Sequence, residues 1–131
     1  MKATIKRVST ILFCIYIIAV ILLCVIQTES LPELPKTFLG IPFDKIAHFI
    51  MFMPFVILGY AAFQPTENRL SRKLAILAIF TVLGCVFAVA TEKLQAMTAY
   101  RSYEIADMAA DSIGLVTGSF AILIYILKTH K

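Results

Sequence analysis

The sequence predicts an all-α, polytopic membrane protein with four transmembrane helices in one domain, residues 1–131, and both termini in the cytoplasm. Three observations predict it. Hydrophobic residues make up 60% of the 131 and charged residues only 15%, against about 45–50% and about 25% in average soluble domains. Four apolar runs of eighteen to twenty residues recur along the chain, each close to the roughly 20 residues that cross a hydrocarbon core of about 30 Å. Lysine and arginine segregate onto alternate connections, as insertion requires. A soluble domain this small buries only about two-thirds of its potential surface, so much of the apolar material would stay wet. A disordered chain needs low hydrophobicity and high charge. Three cysteines, an odd number, do not make a disulfide framework.

The first run, Val8–Ile26, carries no charge and follows Lys2, Lys6 and Arg7. It reads as a spanning helix rather than a signal peptide: no small-x-small cleavage site follows Ile26, and the stretch exceeds the usual 7–15 residues. A lipobox ending at Cys24 fails because Leu23 stands where a small residue belongs. The second run, Ile46–Phe63, is interrupted only by His48 and Pro54. Pro54 removes the hydrogen bond to the Ile50 carbonyl, so a kink is expected just below His48. The third run, Leu74–Thr91, is uncharged, and the fourth, Met108–Leu127, has one acid, Asp111, near its start. Backbone in lipid must satisfy its own hydrogen bonds, which makes all four helices. The connection Gln64–Lys73 is short. The longer Gln27–Phe43 holds Pro32, Pro35 and Pro42 among apolar residues such as Leu34, Phe38 and Leu39. It is expected to lie on the membrane surface or cap the bundle. Tyr100 and Tyr103 suit an interfacial belt.

The two ends and the middle connection hold eight Lys and Arg and a single acid, Glu67. The other two connections, with the helix ends beside them, hold four basic residues and seven acids. The positive-inside rule therefore places both termini in the cytoplasm. The formal charge of +4 is what insertion topology and anionic inner-leaflet lipid ask for, and it implies no nucleic-acid partner.

An unusual polar set crowds the expected outer ends of helices two, three and four. Asp44 and His48 are spaced i, i+4 and share a face. Glu92 and Gln95 are spaced i, i+3, Arg101 follows, and Asp107 and Asp111 are again i, i+4. Ionisable residues about a turn inside the membrane usually face a bundle interior or a wet cavity. Deeper down, Asp107, Asp111, Gly114 and Gly118 share a stripe, and the two glycines form a small-xxx-small pair. Helix three offers Thr81, Gly84, Ala88, Thr91 and Gln95. Helix two offers His48, Met51, Phe55 and Gly59. Packing these stripes together gathers the polar groups at one end.

Three chemistries fit such a cluster. As a ligand pocket, it would admit a membrane lipid head group or a lipid-linked cell-wall precursor from the outer leaflet. His48 is then the candidate acid or base, Asp44 or Asp111 orients it, and Arg101 holds an anionic group such as phosphate. As a structural network, Arg101 pairs with Asp107 or Glu92 and His48 with Asp111, holding three helix ends together. As a metal site, carboxylates with one histidine suit a hard divalent ion. The lack of a thiolate and of a His-x₃-His pair argues against zinc, and no metal or cofactor is assigned. Turnover is left open: no nucleophile motif is present, and Ser102 and Ser112 lack a paired base. Cys14, Cys24 and Cys85 read as small hydrophobes. Four helices leave little room for a pore unless copies assemble, and the oligomeric state is not fixed by the sequence.

The stretches FDKIAHFIMF, TEKLQ, a following Arg and IADMAADSIGLVTG resemble the VanZ-like family of small bacterial membrane proteins. The likeness runs from about Phe43 to Gly118. It matches Asp44, Lys45, His48, Phe49, Glu92, Gln95, Arg101, Asp107, Gly114 and Gly118. Asp111 departs from it, standing where that family usually has Asn, and an acid there changes the local charge. The resemblance implies a multi-pass protein of the bacterial inner membrane. Because the family's founding member is associated with low-level teicoplanin resistance, it also implies an effect on the cell envelope and on glycopeptide susceptibility.

Overall fold

The structure, a computed structural model, describes residues 2–25, 37–97 and 105–130. Four helices carry the described residues: α1 (Lys2–Val25), α2 (Phe43–Phe63), α3 (Leu70–Ala96) and α4 (Ile105–Thr129). A hairpin of two short strands, β1 (Thr37–Phe38) and β2 (Ile41–Pro42), precedes α2. All four helices are long and apolar enough to cross a membrane. They overrun the apolar runs that predict them. α3 starts at Leu70 rather than Leu74 and continues past Thr91 through Glu92 and Gln95 to Ala96. An apolar run measures only the hydrocarbon layer. The backbone keeps its helical hydrogen bonds beyond that run, and Glu92 and Gln95 are buried inside the bundle instead of facing lipid.

α2 and α4 form the most extensive helix pair. They run parallel: Gly114 lies on the carbonyl of Phe49, and Gly118 lies on that of Met53. A Cβ at Gly114 would stand 2.6 Å from the Phe49 oxygen and 3.1 Å from the Met53 nitrogen. The missing side chains let two backbones touch, which drives association where lipid removes the hydrophobic drive between helices. The contact surface of α2 is therefore the Phe49/Met53 backbone, one step around from the expected His48–Met51–Phe55–Gly59 face. Gly59 faces the Phe80 ring of α3 instead.

α3 runs antiparallel to this pair. Its Thr81 hydroxyl lies 2.9 Å from that of Ser119 on α4, and its Gly84 is covered by Leu115 and Phe55 side chains. α1 lies at the periphery, with only Val20 and Cys24 buried. Its Phe13 ring packs edge-on against Phe55 and Phe80 at centroid distances of 5.5 and 5.9 Å. Ile15, Ile18, Val82, Val86, Val116 and Phe120 are exposed. Such apolar patches are a liability in water and the natural surface of a helix in lipid.

Pro54 sits within α2, which is continuous from Phe43 to Phe63. The proline leaves the Ile50 carbonyl without its usual N–H donor. The Tyr16 hydroxyl of α1 donates to the neighbouring Met51 carbonyl in that same turn. This bond ties the peripheral helix to the turn that proline weakens. Tyr16→Phe is expected to cost about 0.5–1 kcal/mol, measured by denaturant unfolding in detergent. An unchanged midpoint would mean that the hydroxyl contributes nothing to holding α1.

The hairpin before α2 pairs Phe38 with Ile41 around Leu39 and Gly40. Both turn residues have positive φ, 52° and 79°, the pattern of a two-residue hairpin turn. Leu39 is 87% exposed and the Phe38 ring packs near Phe43. This apolar tip is the described part of the connection expected to lie on the surface or cap the bundle; residues 26–36 lie outside the described residues.

Candidate functional site

The parallel pair α2 and α4 begins at the end of the bundle where α3 finishes. Three helices thus deliver one turn each to the same place: His48 from α2, Glu92 from α3, and Asp107 with Asp111 from α4. All four are buried, Glu92 and Asp111 completely. His48 is the centre. Its Nδ1 lies 2.7 Å from Asp111 Oδ1 and 3.8 Å from Glu92 Oε1. Its Nε2 lies 3.6 Å from Asp107 Oδ2. Each ring nitrogen therefore faces carboxylate oxygen.

Lys45 lies at the edge of this cluster. Its ammonium pairs with Asp107 and lies 2.7 Å from Asp44 Oδ2. Asp44 itself is exposed. Its carboxylate reaches Lys45 at the surface, and the histidine is oriented by Asp111. The i, i+4 spacing places Asp44 on the correct side of α2 but too near the end of the helix to be buried. Gln95 is buried one turn beyond Glu92 on α3, where Thr91 is also buried and donates to the Ala88 carbonyl. Arg101, expected to hold an anion or to pair with Asp107 or Glu92, lies outside the described residues, as do Tyr100, Ser102 and Tyr103. Ser112 is exposed and donates to the Met108 carbonyl of its own helix.

Two electrostatic facts shape what the cluster can do. The N-termini of α2 and α4 bring two positive dipole ends to one point, which favours anionic groups there. The surrounding bundle is apolar, so every ion pair is weakly screened and every unpaired group costly. One carboxylate oxygen, Asp111 Oδ2, is buried with no hydrogen-bond partner among the described residues.

A profile of the VanZ/LLP1 family matches residues 10–128, nearly the whole chain. The chain belongs to the VanZ/LLP1 family. Nothing among curated proteins or solved structures matches it. In this VanZ/LLP1 chain the polar cluster and the Gly114–Gly118 contact are parts of one construction. Gly114 is the third residue after Asp111, and Phe49 follows His48. The close approach of α2 and α4 thus sets the 2.7 Å separation of the buried pair.

Lys45 is the cluster residue that chemistry-based reading of the sequence passes over. It sits among the matched positions, yet its sequence neighbour Asp44 draws attention as a histidine partner. Only the pairing of α2 with α4 brings Lys45 to Asp107. At the opposite end of the bundle a basic cavity is lined by Lys2, Lys6 and Lys73 together with Tyr60 and Tyr125. It fits the anionic-lipid anchoring expected of that end.

Proposed function

We propose that this VanZ/LLP1 membrane protein binds the head group of an envelope lipid or lipid-linked cell-wall precursor in its polar cluster, and so alters glycopeptide (teicoplanin) susceptibility. The observation that carries this reading is the burial of His48, Glu92, Asp107 and Asp111 around one imidazole, at the end of otherwise apolar helices. Such groups are costly in a membrane and mark functional sites by default. Two helix N-termini and the Lys45 ammonium at the edge of the cluster supply the attraction for a phosphate-like group. With both termini in the cytoplasm of a bacterial inner membrane, the cluster lies at the outer-leaflet end of the bundle. His48 is the group placed to move a proton if a bond in the ligand is broken.

The test uses a host whose teicoplanin sensitivity the protein changes. Lys45→Gln and His48→Gln keep size and hydrogen-bonding capacity while removing the ammonium and the imidazole. Both are expected to abolish the change in sensitivity at unchanged membrane abundance. Retention of the full effect in both variants overturns the pocket. A second reading is favoured by the 2.7 Å His48–Asp111 bond and by the Lys45 bridge from Asp44 to Asp107. Both link α2 to α4, and in that reading the cluster only fastens helices. It predicts a lower melting temperature in both variants with susceptibility intact.

A further inference from the structure

We propose that His48, Glu92 and Asp111 form a binding site for one divalent metal ion of the Mn²⁺ type. One nitrogen and two carboxylate donors, all from buried residues, lie within 4.8 Å of one another. Donors bound to one ion at about 2.1 Å each can stand at most about 4.2 Å apart. The His48–Asp111 and His48–Glu92 separations, 2.7 and 3.8 Å, already meet that limit. Asp111 Oδ2 is the second observation: it is buried, it accepts no hydrogen bond from the described residues, and a cation is the partner such an oxygen lacks.

The far side of the imidazole completes the arrangement. A neutral imidazole has one N–H and one lone pair. With Nδ1 giving its lone pair to the ion, Nε2–H faces Asp107 Oδ2 at 3.6 Å, a separation that must close by a few tenths of an ångström before the two hydrogen-bond. Lys45 holds Asp107 in turn. Carboxylate, histidine and metal in that order is the usual outer-shell support of a metal ligand. The donor types narrow the choice of ion. Calcium prefers six to eight oxygens, soft ions prefer sulfur, and one imidazole with two carboxylates suits a first-row divalent ion, of which Mn²⁺ is the one that carboxylates favour. Three protein ligands leave coordination positions open for water or an anionic oxygen. This inference goes beyond the lipid reading and does not depend on it.

The experiment titrates Mn²⁺ into chelator-stripped, full-length protein in phosphatidylcholine nanodiscs. Free Mn²⁺ is read by its electron paramagnetic resonance signal, and bound metal by elemental analysis after desalting. One Mn²⁺ per chain is expected. Asp111→Asn preserves an acceptor for the His48 N–H while removing the charge; it and Glu92→Gln are each expected to weaken binding more than about 100-fold. Asp107→Asn should weaken it about tenfold. Glu67→Gln, exposed at the other end, should leave it unchanged. The absence of stoichiometric binding by the unaltered protein overturns the site. So does full affinity in either ligand variant shown to be folded by its melting curve. Loss of the teicoplanin effect as a test result bears on the lipid reading alone, because the titration contains neither the antibiotic nor an anionic lipid.

Discussion

Replacing His48 by alanine is expected to destabilise the folded protein by about 3–5 kcal/mol. The imidazole is the group around which Glu92, Asp107 and Asp111 are arranged, at 3.8, 3.6 and 2.7 Å. Removing it leaves Asp111, fully buried, with neither oxygen bonded within the described cluster, and it opens a void between three helices. Breaking a buried pair by deleting one partner is costly because the surviving group is left desolvated and uncompensated. His48→Gln should recover part of the loss, since an amide N–H can donate to the same carboxylate. Denaturant unfolding in detergent, followed by the loss of helical circular dichroism, measures both variants. A loss below about 1 kcal/mol for His48→Ala would mean that water already solvates the cluster, and the site would be a wet cleft rather than a sealed joint.

Gly114→Ala is expected to cost about 2–3 kcal/mol, the upper part of the range for overpacking. The added methyl would meet the Phe49 oxygen at 2.6 Å and the Met53 nitrogen at 3.1 Å, both backbone atoms of α2. Neither can rotate aside, so α2 and α4 must separate. That movement also lengthens the His48–Asp111 bond one turn away, and the two losses are coupled. Gly84→Ala is the informative contrast. Its methyl would meet side-chain carbons, Leu115 Cδ2 at 2.5 Å and Phe55 Cδ1 at 3.1 Å, and these can shift through their χ angles. Gly84→Ala should therefore cost clearly less. Equal losses in the two variants would show that the α2–α4 backbone contact is no tighter in effect than ordinary packing.

The four spans were legible because lipid demands uninterrupted apolar runs, and each described run lies within one helix. The polar cluster was legible for the same reason in reverse: Asp111 and His48 stand out where charge and polarity are expensive. Pair geometry was less legible. The small-xxx-small spacing of Gly114 and Gly118 announces a close contact but not its partner, and α2 meets it with the Phe49/Met53 backbone. Lys45 and Asp107 are 62 residues apart in sequence and meet only because α2 and α4 are parallel. The hairpin was hidden because leucine avoids the left-handed region, so Leu39 gives no turn signal and Gly40 stands alone. The ends of α3 were misplaced because hydropathy falls at Glu92 while the backbone does not change.

The depth of the cluster also sets how the protein meets its bilayer. From His48 to Phe63 the apolar part of α2 rises about 23 Å, and from Asp111 to Leu127 that of α4 rises about 24 Å. A typical hydrocarbon core is about 30 Å thick. The α2–α4 seam is thus hydrophobically short, and thinning of the surrounding bilayer is one response to such a mismatch, at fractions of a kcal/mol per ångström. Thinning draws lipid head groups inward along the seam, toward Lys45 and the carboxylates. The membrane itself would bring the polar layer to the site, and an amphiphilic ligand would need to leave neither its own leaflet nor its own depth to reach His48.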